Sequence, residues 1–122
     1  MLQTQALSRE NRGRTVSSNI VEEILYTILM MIPIGKVTTY SALAKLLGIH
    51  PRRVARILAK NRNPIIIPCH RVVMSNGEIG GYSLGKDLKK KLLLLEGVVF
   101  DDRDRIRRDL IVEDIEKEVF DT

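Results

Sequence analysis

Gly48 and Pro51 stand three positions apart in Leu46-Leu47-Gly48-Ile49-His50-Pro51, and together they require two short helices where one long one might otherwise run. Glycine closes a helix because it enters the left-handed conformation of the C-terminal turn without a Cβ penalty. Proline suits the first turn of the next helix, where an N–H would have no partner in any case. Thr38 or Thr39 can cap the first helix, which has Leu43, Ala44, Leu46 and Leu47 as its apolar stripe. The second, from Pro51 to about Lys60, buries Val54, Ile57 and Leu58 and carries Arg52, Arg53, Arg56 and Lys60 on its other side. Two short helices joined through a glycine turn, the second one basic, fit a helix-turn-helix, although many unrelated helical pairs share the pattern.

The flanking segments extend this plan. Asn19 and Glu22 resemble a capping box, opening a helix with Ile20, Ile24, Leu25, Ile28 and Leu29 on one face; Pro33 and Gly35 end it. After Asn61 the period changes. Ile65, Ile66 and Ile67, bounded by Pro64 and Pro68, read as a short buried extended segment. Arg71–Met74 and Glu78–Gly80 flank Ser75-Asn76-Gly77, a hairpin signal that would form a wing. Lys86 to Glu96 returns to helix, with Leu88, Leu92 and Leu95 toward the core and Lys89, Lys90 and Lys91 in water. The expected fold is therefore mainly α: a winged helix-turn-helix domain with a small β-hairpin wing over residues 19–100. Residues 1–18 would be a flexible arm. Residues 101–122 would be a charged tail forming an amphipathic helix with Ile106, Leu110, Ile115 and Val119 as its stripe.

Composition narrows the function. A chain of 122 residues accommodates one domain with a core able to fold by itself. One cysteine excludes an internal disulfide, and one thiol with two histidines cannot make a Cys-rich zinc site. The most apolar run, Ile24–Ile34, has 11 residues with Thr27 and Pro33 inside it, short of the ~18 that a membrane span needs. Arg9, Glu10, Arg12 and Arg14 near the amino terminus leave no apolar core for a secretory signal, which fits an intracellular protein with a reduced thiol. The net charge of +5 is unevenly placed. Residues 101–122 hold nine acids and five bases, whereas Gly35–Lys91 hold twelve Lys or Arg against Glu78 and Asp87 alone. A basic body suggests a polyanion, most often nucleic acid; charge by itself equally permits a solvated basic surface.

The single thiol lies in Pro68-Cys69-His70-Arg71, within the most basic stretch. Thiolate is the nucleophilic form of cysteine, and a neighbouring imidazole and cationic surroundings are the environment that favours it. Adjacent residues of an extended strand point to opposite faces, so a bridging water would let His70 act on Cys69. A small buried hydrophobe beside a satisfied histidine is the plain alternative.

Ile-Pro-Cys-His-Arg-Val at Ile67–Val72 resembles the active-site signature of the O6-alkylguanine-DNA alkyltransferases (methylated-DNA–protein-cysteine methyltransferases). The resemblance runs from about Val21 to Gly97 and includes Ile32-Pro33-Ile34-Gly35-Lys36-Val37-Thr38-Thr39-Tyr40 and Gly80-Gly81-Tyr82-Ser83. It implies that Cys69 accepts the alkyl group permanently, that His70 deprotonates it through a water, and that Glu96 orients His70. Asn61 would brace the segment before the cysteine. Arg52 would fill the gap left by the extruded nucleotide. Apart from the resemblance, the basic face of its helix, with Arg53, Arg56 and Lys60, would hold the DNA backbone by charge. Tyr40 would help rotate the nucleotide out and bond the base. Tyr82 and Ser83 would cover the flipped guanine, and the carbonyls of Cys69 and Val72 would accept from its amino group. No metal or cofactor is implied. The partner would be double-stranded DNA containing O6-alkylguanine, met by a monomer with no membrane involvement, in the cytoplasm near the nucleoid or, in a eukaryote, the nucleus.

Without the motif, Glu96 reads as a solvated helix-end carboxylate, Tyr40 and Tyr82 as half-buried aromatics, and Arg52 as a surface charge. The chain also departs from the family pattern. Only about twenty residues precede the first shared helix where a separate domain is usual, so the catalytic domain would stand alone. Arg53-Val54-Ala55-Arg56 replaces smaller residues, and Leu84 stands where glycine is common. Two rivals remain: a lesion-binding module like the alkyltransferase-like proteins, which lack the acceptor cysteine, and a transcription regulator, for which Cys69, His70 and Glu96 would be superfluous.

Overall fold

A computed structural model describes residues 14–120, with side chains from Ile20 onward. Its helices are α1 (Arg14–Met31), α2 (Tyr40–Leu47), α3 (Pro51–Ala59) and α4 (Lys86–Leu95). Three short strands, β1 (Val37–Thr39), β2 (Val72–Val73) and β3 (Ile111–Val112), form one parallel sheet in the order β2-β1-β3. Thr38 pairs with Val72 on one side of β1 and with Val112 on the other. About half of the described chain is helical, and β1, paired on both edges, is buried throughout.

The helix pair forms as its punctuation requires. Thr39 caps α2, its hydroxyl accepting from the Ala42 N–H at 3.0 Å. Gly48 closes that helix at φ 68°, its N–H donating to the Ala44 carbonyl. His50 caps α3, where Nδ1 accepts from the Arg52 N–H at 3.0 Å and Pro51 occupies the first turn. Leu43, Val54, Ile57 and Leu58 pack with Leu25 and Leu29 of α1 in the principal core. The other candidate cap, Thr38, instead donates its hydroxyl to the Val112 carbonyl at 2.8 Å and holds β3 on the sheet.

Several expectations are corrected. Helix α1 begins at Arg14, so residues 14–18 of the expected arm are helical; residues 1–13 lie outside the described residues. Leu25, Ile28 and Leu29 are buried, but Ile20 and Ile24 are exposed. Val21 and Leu25 face the core at this end of the helix, so their neighbours Ile20 and Ile24 are turned toward solvent. Nor are Ile65–Ile67 a buried extended run. Ile65 takes φ 80°, which turns the chain, and Ile66 is 74% exposed. Asn61 cinches this loop at its base, so Ile65 and Ile66 ride outside it while Ile67 packs on the core: the Asn61 Nδ2 donates to the Ile67 carbonyl at 2.9 Å and its Oδ1 accepts from the Asn63 N–H at 2.9 Å.

Ser75-Asn76-Gly77 does make a tight turn, with the Met74 N–H donating to the Glu78 carbonyl and the Gly77 N–H to the Met74 carbonyl, both at 2.9 Å. Val72–Val73, however, pairs in parallel with β1 and not with Glu78–Gly80. The turn leans on the C-terminal segment, whose Ile106 N–H donates to the Gly77 carbonyl at 2.8 Å.

That segment is not the expected amphipathic helix. It is a looped chain with 3-10 residues at Arg108–Leu110, strand β3 and a π-helical turn at Glu116–Phe120. Asp101 breaks any helix at its start by accepting from the Arg103 and Arg105 N–H groups. The open edge of β1 then takes up the β-branched pair Ile111-Val112. Ile106, Ile111, Val112 and Ile115 are buried, so the residues beyond 100 complete the core of the same domain. In α4 the buried face is rotated by one residue from the expected stripe. Lys89 and Leu93 are buried, whereas Leu88 and Leu95 are exposed.

Candidate active site

Cys69 begins a 3-10 turn, Cys69–Arg71, at the end of the loop cinched by Asn61. The thiol is buried and faces a cleft of about 650 Å³ between the helix pair and the loop before α4. Tyr40, Arg52, Ala55, Tyr82 and Ser83 line the cleft with it. The Asn61 side chain donates to Sγ at 3.3 Å while also holding the Ile67 carbonyl, so one amide fixes both the sulfur and the turn that carries it.

Behind the thiol lies a polar relay. The turn places His70 and Arg71 side by side, both aimed at Glu96, the C-terminal cap of α4. His70 Nε2 lies 2.9 Å from Glu96 Oε2. A carboxylate only accepts, so Nε2 carries a proton, and in the neutral tautomer that leaves Nδ1 as the acceptor. Nδ1 is buried without a protein partner. Arg71 grips the same carboxylate in a fork, Nε to Oε1 and Nη2 to Oε2, both at 2.9 Å, and its Nη1 donates to the Ile32 carbonyl at 3.0 Å. Burial pushes the Glu96 carboxyl up, but the hydrogen bonds from Arg71 and His70 outweigh it and hold it below the usual carboxylate range. Gly35, at φ 93°, lets this end of α4 approach: a Cβ there would meet the Glu96 carbonyl at 3.2 Å.

Tyr40, at the start of α2, and Tyr82 both line the cleft. Burial, and secondarily the charge of Cys69, raises both phenols above their ordinary value, so they remain protonated hydrogen-bond donors. Tyr82 meets the His70 ring edge-on, with centroids 6.4 Å apart. Its hydroxyl is buried without a partner.

The structure divides the predicted residues. Cys69, Tyr40, Arg52, Tyr82 and Ser83 share the cleft, and His70, Glu96 and Asn61 stand behind its floor. Val72 is fully buried next to the turn in β2. Arg53, Arg56 and Lys60 do not face the cleft; they line a separate groove with Glu22 of α1. Two residues were missed. Arg71 is committed to Glu96 and does not serve the thiol as a free cation, a pairing for which sequence spacing carries no signal. Lys89, expected in water, is 0% exposed, and its Nζ donates to the Val72 carbonyl at 2.7 Å and the Gly81 carbonyl at 3.0 Å.

One buried thiol is presented to a cleft, backed by an imidazole–carboxylate pair and flanked by a basic helix, an arrangement of the kind that nucleophilic-cysteine chemistry uses. The comparisons with known proteins agree. The model of the 6-O-methylguanine DNA methyltransferase DNA-binding domain matches residues 21–98, and the chain belongs to this family. A methylated-DNA–protein-cysteine methyltransferase of Pyrobaculum aerophilum is 44% identical over 102 residues, 83% of this chain and 68% of that one. One from Saccharolobus islandicus is 57% identical over 70 residues, 57% of this chain, and this chain covers 46% of its length. Among solved structures, the O6-methylguanine-DNA methyltransferase of Pyrococcus kodakaraensis matches with a TM-score of 0.60 at 46% identity, covering 63% of this chain and 46% of that one. Atl1 of S. pombe, in complex with damaged DNA containing O6-carboxymethylguanine, matches with a TM-score of 0.65 at 25% identity, covering 77% of this chain and 95% of that one. No helix among the described residues is long and apolar enough to cross a membrane.

Proposed function

We propose that this protein repairs DNA by moving the alkyl group of O6-alkylguanine onto Cys69, once per molecule, after the damaged nucleotide has been flipped out of the duplex. The observation that carries this reading is the buried Cys69 thiol on the cleft floor, braced by Asn61 and backed by His70 and Glu96. His70 Nδ1, with Nε2 committed to Glu96, takes the thiol proton through a water. The sulfur then attacks the alkyl carbon: the S–C bond forms, the C–O6 bond breaks, and the electron pair leaves with O6. The Tyr40 hydroxyl and the Ser83 amide stabilise that oxygen, and the Cys69 and Val72 carbonyls hold the guanine amino group. No metal or cofactor takes part.

On this reading α2 and α3 work as the helix-turn-helix and the Ser75–Gly77 turn as the wing. The protein acts as a monomer. Arg52, exposed at the cleft mouth, enters the stack in place of the flipped nucleotide, whose extrusion costs a few kcal/mol. Arg53, Arg56 and Lys60 meet phosphates without reading sequence. Cys69 weighs against a module that only flags the lesion, even though the S. pombe Atl1 fold is similar.

Intact mass after incubation with a duplex containing O6-methylguanine tests this. The protein gains one methyl, and Cys69→Ala gains none. Tight lesion-selective binding without any mass gain would replace the transferase by the flagging module.

A further inference from the structure

Lys89 is the one fully buried ammonium among the described residues, and the chemistry above makes no use of it. No carboxylate among the described residues pairs with it; its hydrogen bonds go to two backbone carbonyls on different segments. Val72 belongs to β2, directly after the turn that carries Cys69 and His70. Gly81 lies in the loop between β2 and α4, immediately before Tyr82 and Ser83. Tyr82 packs on the core, but the loop has few other hydrogen bonds. The Gly85 N–H bonds back to the Tyr82 carbonyl at 3.0 Å, inside the loop itself. Among the described residues, the Lys89–Gly81 bond is the hydrogen bond that ties Gly80–Ser83 to the rest of the fold.

We propose that Lys89 is a positioning residue that holds the Gly80–Ser83 loop over Cys69 by joining the Gly81 carbonyl to the Val72 carbonyl. This rests on the proposed transfer reaction for its kinetic consequence, but not for its structural one.

Burying an ammonium with only carbonyl partners is costly. Burial lowers the Lys89 pKa to about 8, the Cys69 charge opposes that fall and Lys86 adds to it. The group thus stays mostly charged at neutral pH, when three N–H donors are available to the two carbonyls. Two functional elements depend on the tie. Tyr82 packs edge-on against His70, so a displaced loop would move the ring beside the base. Val72 also supplies a carbonyl that the reading above assigns to guanine, so Lys89 fixes one base contact directly and two others through the loop. An apolar residue at this position would fill the same space, so nothing about packing alone requires a lysine.

The test uses Lys89→Met and Lys89→Gln in the full chain, with folding checked by circular dichroism. Amide hydrogen exchange of the free protein should show faster exchange confined to Gly80–Leu84 in Lys89→Met. At saturating lesion duplex, methyl transfer should slow by about ten- to a hundredfold, the scale of a misplaced reactant. Affinity for undamaged duplex should stay within about twofold, because the phosphate contacts are elsewhere. Lys89→Gln, which keeps a donor, should fall between the two. A folded Lys89→Met with unchanged exchange at Gly80–Leu84 and wild-type transfer overturns the proposal. So does exchange that rises evenly along the chain. If the wild type itself gains no methyl, the transfer reading fails while the exchange result still decides the role of Lys89.

Discussion

Helices α3 and α4 have similar compositions and opposite relations to their charges. Helix α3 buries Val54, Ile57 and Leu58 and leaves Arg52, Arg56 and Lys60 in water, with Arg53 half-buried, as its periodicity requires. Helix α4 keeps Lys90 and Lys91 largely outside but turns Lys89 into the interior and ends on Glu96, which receives both His70 and Arg71. The outer helix places charge where a large polyanion can meet it. The inner helix spends its charge on fixing backbone and side chains around one sulfur atom. Removing a charge should therefore act on chemistry in α4 and on association in α3.

The largest effect should come from the inner helix. Glu96→Gln leaves the fork of Arg71 with a neutral partner and lets the His70 ring rotate or change tautomer. We expect transfer at saturating DNA to fall by about 10²–10⁴-fold, the range for losing positioned acid–base catalysis, with undamaged-DNA affinity unaltered. Quench-flow with labelled lesion duplex measures it; a loss that appeared only at low DNA concentration would place Glu96 with the binding residues of α3. The same carboxyl has a stability signature. Its folded pKa lies below the unfolded one, so its contribution is complete above the ordinary carboxylate range and is lost as pH falls through the folded value. Urea melts from pH 6 down to pH 3 should show that acid loss in the wild type and a smaller one in Glu96→Gln.

Next comes Lys89, with the opposite sign. Its pKa falls from 10.5 unfolded to about 8 folded, so between those values the unfolded chain binds more protons and stability rises with pH. Below pH 8 both states are charged and the folded one carries the whole burial cost. The stability of the wild type relative to Lys89→Met should therefore grow by on the order of 3 kcal/mol from pH 8 to above 10.5. Taking the difference between the two proteins removes the titration of the tyrosines and other lysines they share. A flat difference would mean that the ammonium is hydrated, and the contrast between the two helices would dissolve.

These two residues also show what could be read from the chain alone. The α2–α3 pair was legible because Thr39, Gly48 and Pro51 act locally: each cap or turn is decided within four residues of itself. Cys69, His70 and Glu96 were legible through a motif, since the turn Cys69–Arg71 and the end of α4 lie 25 or more residues apart and no local rule joins them. Sequence alone places Lys89 in water, because lysines in a helix are usually exposed. Its burial depends on two carbonyls, at Val72 and Gly81, whose positions only the tertiary fold sets. The segment after residue 100 failed for a related reason. Ile106, Leu110, Ile115 and Val119 repeat at intervals of four or five, which suits a helix, but the open edge of β1 competes for Ile111-Val112 and wins. Ile65 and Ile66 are apolar yet exposed because Asn61 shapes the loop beneath them.

In α3 the arginine at the cleft should matter more than those beyond it. Arg52→Ala should lower transfer at limiting DNA by about tenfold, through a flipped state whose vacated space is no longer filled, with little change in the rate once the lesion is bound. Its effect should shrink when the lesion sits in single-stranded DNA, where no stack has to be repaired. Equal losses on both substrates would make Arg52 a phosphate contact like its neighbours.

The smallest effect, and the one that isolates the outer helix, is Arg56→Ala. Arg56 lies in the groove with Glu22, Arg53 and Lys60, away from Cys69. Losing one phosphate contact should weaken binding to damaged and undamaged duplex alike and make the slope of log affinity against log salt shallower by about 1. Because the Debye length shortens from about 30 Å at 0.01 M salt to about 10 Å at 0.1 M, the deficit should be largest in dilute buffer and close as salt is added. The transfer rate of the bound complex should not move. Affinity titrations at four salt concentrations, on both duplexes, decide this. A lesion-specific deficit, or one that persists at high salt, would show that the groove side of α3 takes part in recognising the flipped base, and the division of labour between the two helices would have to be redrawn.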